Sequence, residues 1–270
     1  MPSIRLAIAG LGAIGLKVAR NVDDGEIPGI HLVAVAARDE AKARKTLERF
    51  KSPPAVLPIA RLADGADVVI ECIPSSLFRA VAQPVLEAGR TLMPLSVGAL
   101  LDHLDLVALA RTTGGRILVP SGAILDLDAI RAVAERHVAS VQIVTRKPPA
   151  GLEGAPLLKE RGQSLAGLKE PLLLFSGSAR EAAKGFPANL NVSVAVALAG
   201  IGPDRTRIEV WADPAVTRNT HTVTVRSDSS DLTMTIENIP SAENPRTGTI
   251  TALSVLAALR RLTAPLVVGT

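Results

Sequence analysis

The stretch Gly10-Leu11-Gly12-Ala13-Ile14-Gly15 constrains this chain more than any other. It follows the apolar run Ile4-Arg5-Leu6-Ala7-Ile8-Ala9 and opens a helical pattern over 11–21. A G-x-G-x-x-G run between a strand and a helix is the arrangement that cradles the pyrophosphate of a dinucleotide. Gly10 permits the tight turn, Gly12 lets backbone approach the phosphates, and Gly15 lets the helix pack close to the strand. The N–H groups of the first helical turn, those of Ala13 and Ile14 among them, then meet the anion at the positive end of the helix dipole. The implied cofactor is NAD or NADP.

The end of the second strand bears on which of the two it is. That strand closes as Ala36-Ala37-Arg38-Asp39. An acid that would grip the ribose 2′-hydroxyl of NAD is replaced by Ala37. Arg38 follows, and a guanidinium there pairs with the 2′-phosphate of NADP. The alternative leaves Arg38 solvated and Asp39 as a simple cap for the next helix.

Beyond the loop, strand-like runs at 32–37, 67–72, 91–96 and 116–120 alternate with helical patterns ending near Phe50 and spanning 76–88 and 101–111. Such alternation, with continuous apolar strands, predicts a doubly wound parallel sheet covered on both faces. The pattern changes near residue 139. Runs at 140–146, 206–212, 220–226 and 232–238 alternate apolar and polar residues, and a Ser/Asp cluster at 227–231 reads as a hairpin turn. Helices are expected at 179–186, 190–199 and 249–262. The predicted division is a dinucleotide-binding domain at 1–125, completed by a closing helix at 244–264, and a substrate-binding α+β domain with a mixed sheet at 126–243.

Composition narrows the function classes. Among 270 residues only 2% are aromatic and none is Tyr, which argues against a base-stacking nucleic-acid binder. The net charge of +4 comes from 30 basic and 26 acidic residues that are interspersed rather than clustered, so no nucleic-acid partner is expected. The single Cys72 excludes an internal disulfide and a Cys-based zinc cluster, and no metal site is expected. With no leader pattern and no apolar run of ~20 residues, the expectation is a cytoplasmic protein with no membrane partner.

The same scarcity shortens the list of acid–base candidates to four histidines. His31 begins a strand, His103 falls within the helical pattern at 101–111, and His137 lies beside Arg136 near a helix end; each has a structural or surface explanation. His221 ends the polar stretch Asp213–His221, which reads as a connection between two strands. It is either a group aimed at substrate or a satisfied strand residue, and both readings stay open. Ser121-Gly122-Ala123 follows a strand at the carboxyl edge of the predicted sheet, where ligands bind in such folds. Thr145-Arg146-Lys147-Pro148-Pro149 places two cations at a strand end, suited to a carboxylate. Cys72 reads as a small buried hydrophobe.

These pieces together carry a resemblance. The glycine loop, Pro120-Ser121-Gly122-Ala123-Ile124, Thr145-Arg146-Lys147-Pro148-Pro149, Phe186-Pro187-Ala188-Asn189-Leu190-Asn191-Val192, Ala212-Asp213-Pro214 with Arg218-Asn219-Thr220-His221, and Glu243-Asn244-Pro245 span essentially the whole chain. The sequence resembles the L-aspartate dehydrogenase family, enzymes associated with NAD biosynthesis. The resemblance implies an N-terminal Rossmann domain, a C-terminal mixed α/β domain that also dimerises, a last helix returning to the first domain, and a homodimer. It implies that His221 is the active-site histidine and that Ala123 and Asn189 bind the nicotinamide cofactor. One departure stands out: Leu125-Asp126 occupies the place where the family usually has a glycine pair.

The implied reaction oxidises L-aspartate to iminoaspartate, which hydrolyses to oxaloacetate and ammonia or feeds quinolinate and NAD synthesis. His221 would accept the amine proton or activate the water that attacks the imine; the sequence leaves both roles open. Arg146, Lys147 and Arg218, with Ser121 and Asn219, are the expected partners of the substrate. The rival readings are a two-domain imine reductase or amino-acid dehydrogenase of other specificity, and a non-catalytic dinucleotide sensor.

Overall fold

The computed structural model describes residues 3–124, 126–187, 190–241 and 248–269. The chain divides into two compact units, Met1–Pro120 with Ala252–Val268, and Ser121–Thr251 with Gly269–Thr270. Among the described residues no helix is long and apolar enough to cross a membrane.

In the first unit β1 (Ile4–Ala9), α1 (Ala13–Asp23), β2 (Ile30–Ala36), α2 (Glu40–Leu47), β3 (Ala55–Val56) and β4 (Val68–Glu71) are followed by α3 (Phe78–Glu87), β5 (Thr91–Pro94), α4 (Val97–Leu100), α5 (Asp105–Thr113) and β6 (Arg116–Ile117). The six strands are parallel in the order β3-β2-β1-β4-β5-β6. The chain runs outward from β1 in one direction and then in the other, so the carboxyl end of β1 is the switch point where such sheets bind ligands.

Alternation along β1 separates two apolar layers. Ala7 and Ala9 face a layer with Phe78, Val81 and Leu86 from α3, whereas Leu6 and Ile8 face Val18 and Ala19 of α1. The closing helix Ile250–Thr263 adds Val255, Leu256 and Leu259 to the second layer. A chain segment more than two hundred residues distant thereby completes the nucleotide unit.

One helical expectation is corrected here. The pattern over 101–111 resolves into α4 and α5, which begins only at Asp105, and His103 lies in the connection between them. An acid at the first helical position favours a start there. The His103 ring stacks on Phe78 at 5.8 Å between centroids with planes 2° apart, a packing role.

The second unit contains α6 (Leu127–Ala134), β7 (Val138–Lys147), α7 (Pro156–Glu160), β8 (Leu172–Ser178), α8 (Ala179–Gly185), α9 (Asn191–Ala199), β9 (Arg207–Ala212), β10 (Asn219–Ser227) and β11 (Leu232–Asn238). The sheet order is β11-β10-β7-β9-β8, with β7 and β9 parallel and the other neighbours antiparallel. The edge strand β8 was not expected. Its sequence Leu-Leu-Leu-Phe-Ser-Gly-Ser lacks the period-2 alternation that marked its neighbours. Along β7 and β10 the buried face is apolar at Val141, Ile143, Val223 and Val225, then becomes polar toward one end.

Candidate active site

The first unit holds the glycine loop. Gly10 has φ +104°, and a Cβ there would lie 2.6 Å from the Cys72 carbonyl oxygen. A Cβ on Gly15 would lie 1.9 Å from the Gly10 oxygen and 2.8 Å from the Cys72 Sγ. Gly12, in contrast, meets no heavy atom within 4 Å and is the N-cap of α1 with no side-chain cap. Two glycines are thus required by the protein's own packing and one is left open. That is the division a pyrophosphate approaching the start of α1 needs, and the loop fits a dinucleotide.

Cys72 is more than filler. Its thiol lies 3.1 Å from the carbonyl oxygens of both Ala9 and Gly10, directly under the loop. Burial pushes the thiol pKa up, followed by the charge of Glu71, so it remains a protonated donor. Asp39 accepts a hydrogen bond from the Lys42 N–H at 2.9 Å as the N-cap of α2, while Arg38 beside it is exposed at the end of β2.

Glu71 escaped the sequence reading, although an acid ending the apolar run Val68-Val69-Ile70 was its signal. It is fully buried, and its carboxylate accepts from the Ile73 N–H, the Ser96 N–H and the Ser96 hydroxyl, each at 3.0 Å. Burial raises its pKa against these donors. The carboxylate ties together the segments that leave β4 and β5 at the carboxyl edge of the sheet.

The second unit holds a polar cluster at one end of its sheet. Register places His221 of β10 opposite Thr145 of β7, and Lys147 of β7 opposite Ala212 of β9. Strand alternation then puts residues 145 and 147, 219 and 221 on one face. All four are buried. The Thr145 Oγ1 lies 3.0 Å from the His221 Nδ1. Burial, and then the neighbouring Lys147 charge, push the His221 pKa down to about 3, so the ring is neutral at any working pH. Burial alone pulls Lys147 down to about 8.

The strand expected at 220–226, which includes His221, is observed as β10 and begins one residue earlier. β10 begins at Asn219 because Asn219 and Thr220 already pair with Asn238 and Glu237 of β11. Asn238, unnoticed in the sequence, donates to the Ala123 carbonyl oxygen at 2.9 Å and fastens the loop that carries Ser121, Gly122 and Ala123. That loop turns through Gly122 at φ +65°.

Of the expected substrate partners, Lys147, Asn219 and His221 come together. Arg146 lies on the other face of β7, paired with Asp213 at 3.0 Å and set over the Trp211 ring at 4.8 Å from its centroid. The Asp213 carboxylate also accepts from the Ala215 N–H. Arg218 is half exposed and lies 3.8 Å from Glu237. Asn189, Leu125 and Glu243-Asn244-Pro245 fall outside the described residues.

Known proteins resemble the chain along its whole length. The family model described as aspartate dehydrogenase, C-terminal, matches residues 128–262, and that described as homoserine dehydrogenase, NAD binding domain, matches residues 10–120. An L-aspartate dehydrogenase of Bradyrhizobium diazoefficiens is 55% identical over 99% of this chain and 94% of its own. L-aspartate dehydrogenase 3 of Bordetella bronchiseptica is 53% identical over 98% and 97%. The crystal structure of aspartate dehydrogenase from Thermotoga maritima superposes with a TM-score of 0.72 at 25% identity, covering 98% of this chain and 99% of that one.

Proposed function

The chain belongs to the L-aspartate dehydrogenase family, and from that premise we propose that it oxidises L-aspartate to iminoaspartate with NAD(P)+. The observation that carries the reading is the buried pair of a neutral imidazole, His221, and an amine of lowered basicity, Lys147, on one face of the second sheet. A buried polar pair of this kind suits a reaction that must strip a proton from an ammonium and protect an imine.

The residues divide the work. Gly10, Gly12 and Gly15, with the N–H groups of Ala13 and Ile14, hold the pyrophosphate, and Arg38 receives a 2′-phosphate. Ala123 and Asn189 bind the nicotinamide end. Bound NAD(P)+ supplies the acceptor for the hydride that leaves Cα. His221, with Nδ1 engaged by Thr145, offers Nε2 to the substrate nitrogen or to the water that attacks the imine. Lys147 and Asn219 meet the substrate carboxylates with Ser121 beside them, whereas Arg146, held by Asp213 and Trp211 on the other face of β7, and the half-exposed Arg218 are not assigned a contact with the substrate. Iminoaspartate then hydrolyses to oxaloacetate and ammonia or passes to pyridine nucleotide biosynthesis. A cytoplasmic homodimer completes the reading, and it rests on family membership; sedimentation at micromolar concentration tests the dimer.

The deciding experiment follows absorbance at the reduced-nicotinamide band with L-aspartate and each cofactor. An increase supports the proposal. Dinucleotide binding without any increase supports a sensor, and an increase with another amino acid alone supports a dehydrogenase of different specificity. Arg38→Ala should lower use of NADP+ relative to NAD+; an unchanged ratio removes Arg38 from cofactor choice.

A further inference from the structure

Among the described residues two buried side-chain polar atoms lack a hydrogen-bond partner, the Arg90 Nε and the Ser193 Oγ. Arg90 turns another nitrogen to Asp67 at 3.5 Å in the first unit. Ser193 has one side-chain polar atom, and the residue is 1% exposed. A buried hydroxyl without a partner costs free energy, and nothing in the packing of the fold repays it.

Ser193 is the third residue of α9, and the residue before the helix, Leu190, makes no side-chain capping bond. The chain path places the start of α9 at the polar end of the second sheet. α8 sets out beside the start of β9, where the Ala179 N–H donates to the Thr206 oxygen at 2.9 Å. Its far end meets α7: a Cβ on Gly185 would lie 3.3 Å from the Leu157 Cβ, in the segment that leaves β7 after Lys147. α9 then runs back. A Cβ on Gly200, just past its end, would lie 3.6 Å from the Val141 Cγ2. Val141 to Thr145 is ~13 Å along a strand, and Gly200 back to Ser193 is ~10 Å along a helix. The start of α9 therefore lies over the stretch of β7 that holds Thr145 and Lys147. At about 100° per residue, Ser193 falls between Val196 on one side and Leu190 and Ala197 on the other. Those three share a core with Val141, Ile143 and Val223 of the sheet's buried face. Helical side chains lean toward the N-terminus, so the hydroxyl is aimed at the helix start on the side of the sheet.

We infer that the start of α9, with the Ser193 hydroxyl as its side-chain donor, receives one carboxylate of the dicarboxylic substrate. This inference rests on the aspartate dehydrogenase reading and deepens it. Lys147 and Asn219 approach the carboxylates from the sheet, and α9 approaches one of them from the helical layer. The positive end of the helix dipole favours an anion there, and the unpaired hydroxyl gives it a directed hydrogen bond. A monocarboxylic amino acid leaves that hydroxyl unpaired, so the same group that holds aspartate selects against its neutral analogues.

Ser193→Ala removes only the hydroxyl. With NAD(P)H saturating, calorimetric titration with succinate should show a ~10-fold or greater loss of affinity, the scale of a hydrogen bond to a charged group. The variant's kcat/KM for L-aspartate should fall by a similar factor, while NAD(P)H affinity stays as in wild type. The melting temperature without succinate should hold or rise, because the hydroxyl makes no bond inside the protein. Succinate affinity within ~2-fold of wild type overturns the inference. So does a wild type that binds no succinate, or a loss of NAD(P)H affinity with succinate affinity retained, which assigns the hydroxyl to the cofactor. A lowered melting temperature also overturns it, since the hydroxyl would then serve the fold. A wild type that binds succinate yet leaves L-aspartate unoxidised defeats the underlying reading and not the subsite.

Discussion

The two units build their sites by opposite means. The first gathers its phosphate cradle from six consecutive residues between one strand and one helix. The second brings together Thr145 and His221, 76 positions apart, and they meet only once β7 and β10 pair in register. A local motif tolerates change elsewhere in the chain. A site made by strand register is exposed to anything that shifts the pairing, since a slip of one residue would turn every side chain of the cluster to the other face.

The sharpest way to test this contrast is to damage each side and look for effects on the other. His221→Ala should reduce turnover with L-aspartate by ~10²-fold or more while leaving dinucleotide affinity nearly unchanged. Turnover close to normal ends the catalytic role of His221. Gly15→Ala should do the reverse. Its new methyl would meet the Gly10 oxygen and the Cys72 thiol, and overpacking of this kind costs ~1–3 kcal/mol. Titration of the variant with NADH or NADPH should show a ~10-fold or greater loss of affinity, with succinate binding to the second unit preserved. Parallel loss of both affinities would contradict the separation.

How much of this was legible in the sequence follows from the same contrast. The glycine loop, its flanking elements and Asp39 as a cap were readable because each depends on neighbours a few residues away. β11 and the parallel order of the first sheet followed from simple periodicity. His221 was singled out for its polar surroundings and fell within the expected strand 220–226, but its position opposite Thr145 is set by register that no local pattern shows. Nothing local distinguishes Lys147 from Arg146. One residue of offset sends the first into the buried cluster and the second to Asp213 and Trp211, and only register decides which. Asn238 and Glu71 were missed for a related reason: each acts by fastening a segment distant in sequence, Ala123 in one case and Ser96 in the other.

The buried cluster also leaves a signature in stability against pH. His221 is held far below its ordinary value of 6.5, at about 3. Its neutral form therefore contributes stability that is complete above about pH 6.5 and is lost as pH falls toward 3. Lys147, lowered from 10.5 to about 8, has its own loss complete below that range and adds no slope in acid. Each pH unit in the His221 window is worth up to ~1.4 kcal/mol. Urea denaturation at pH 7 and pH 4.5 should show wild type losing about 2 kcal/mol more than His221→Gln between the two. Equal losses would mean that the ring is not buried as a neutral group.

The smallest expected effect lies where the loop bearing Ala123 leads into α6. Asp126 is the one non-glycine among the described residues with positive φ, at +51°. A left-handed conformation costs a residue with a Cβ ~1–2 kcal/mol, less for Asp than for most. As the N-cap of α6 it makes no side-chain capping bond that would offset this. Asp126→Gly removes the steric cost but gives the unfolded chain more freedom. The balance should favour the variant by about 0.5 kcal/mol, a rise of about 1–2 °C in Tm. A fall of more than ~1 kcal/mol would instead credit the carboxylate with stabilising the positive end of α6. If KM for L-aspartate moves while dinucleotide affinity does not, the conformation of this turn matters to the register-built site and not to the glycine cradle. That outcome would carry the contrast between the two units down to a single φ angle.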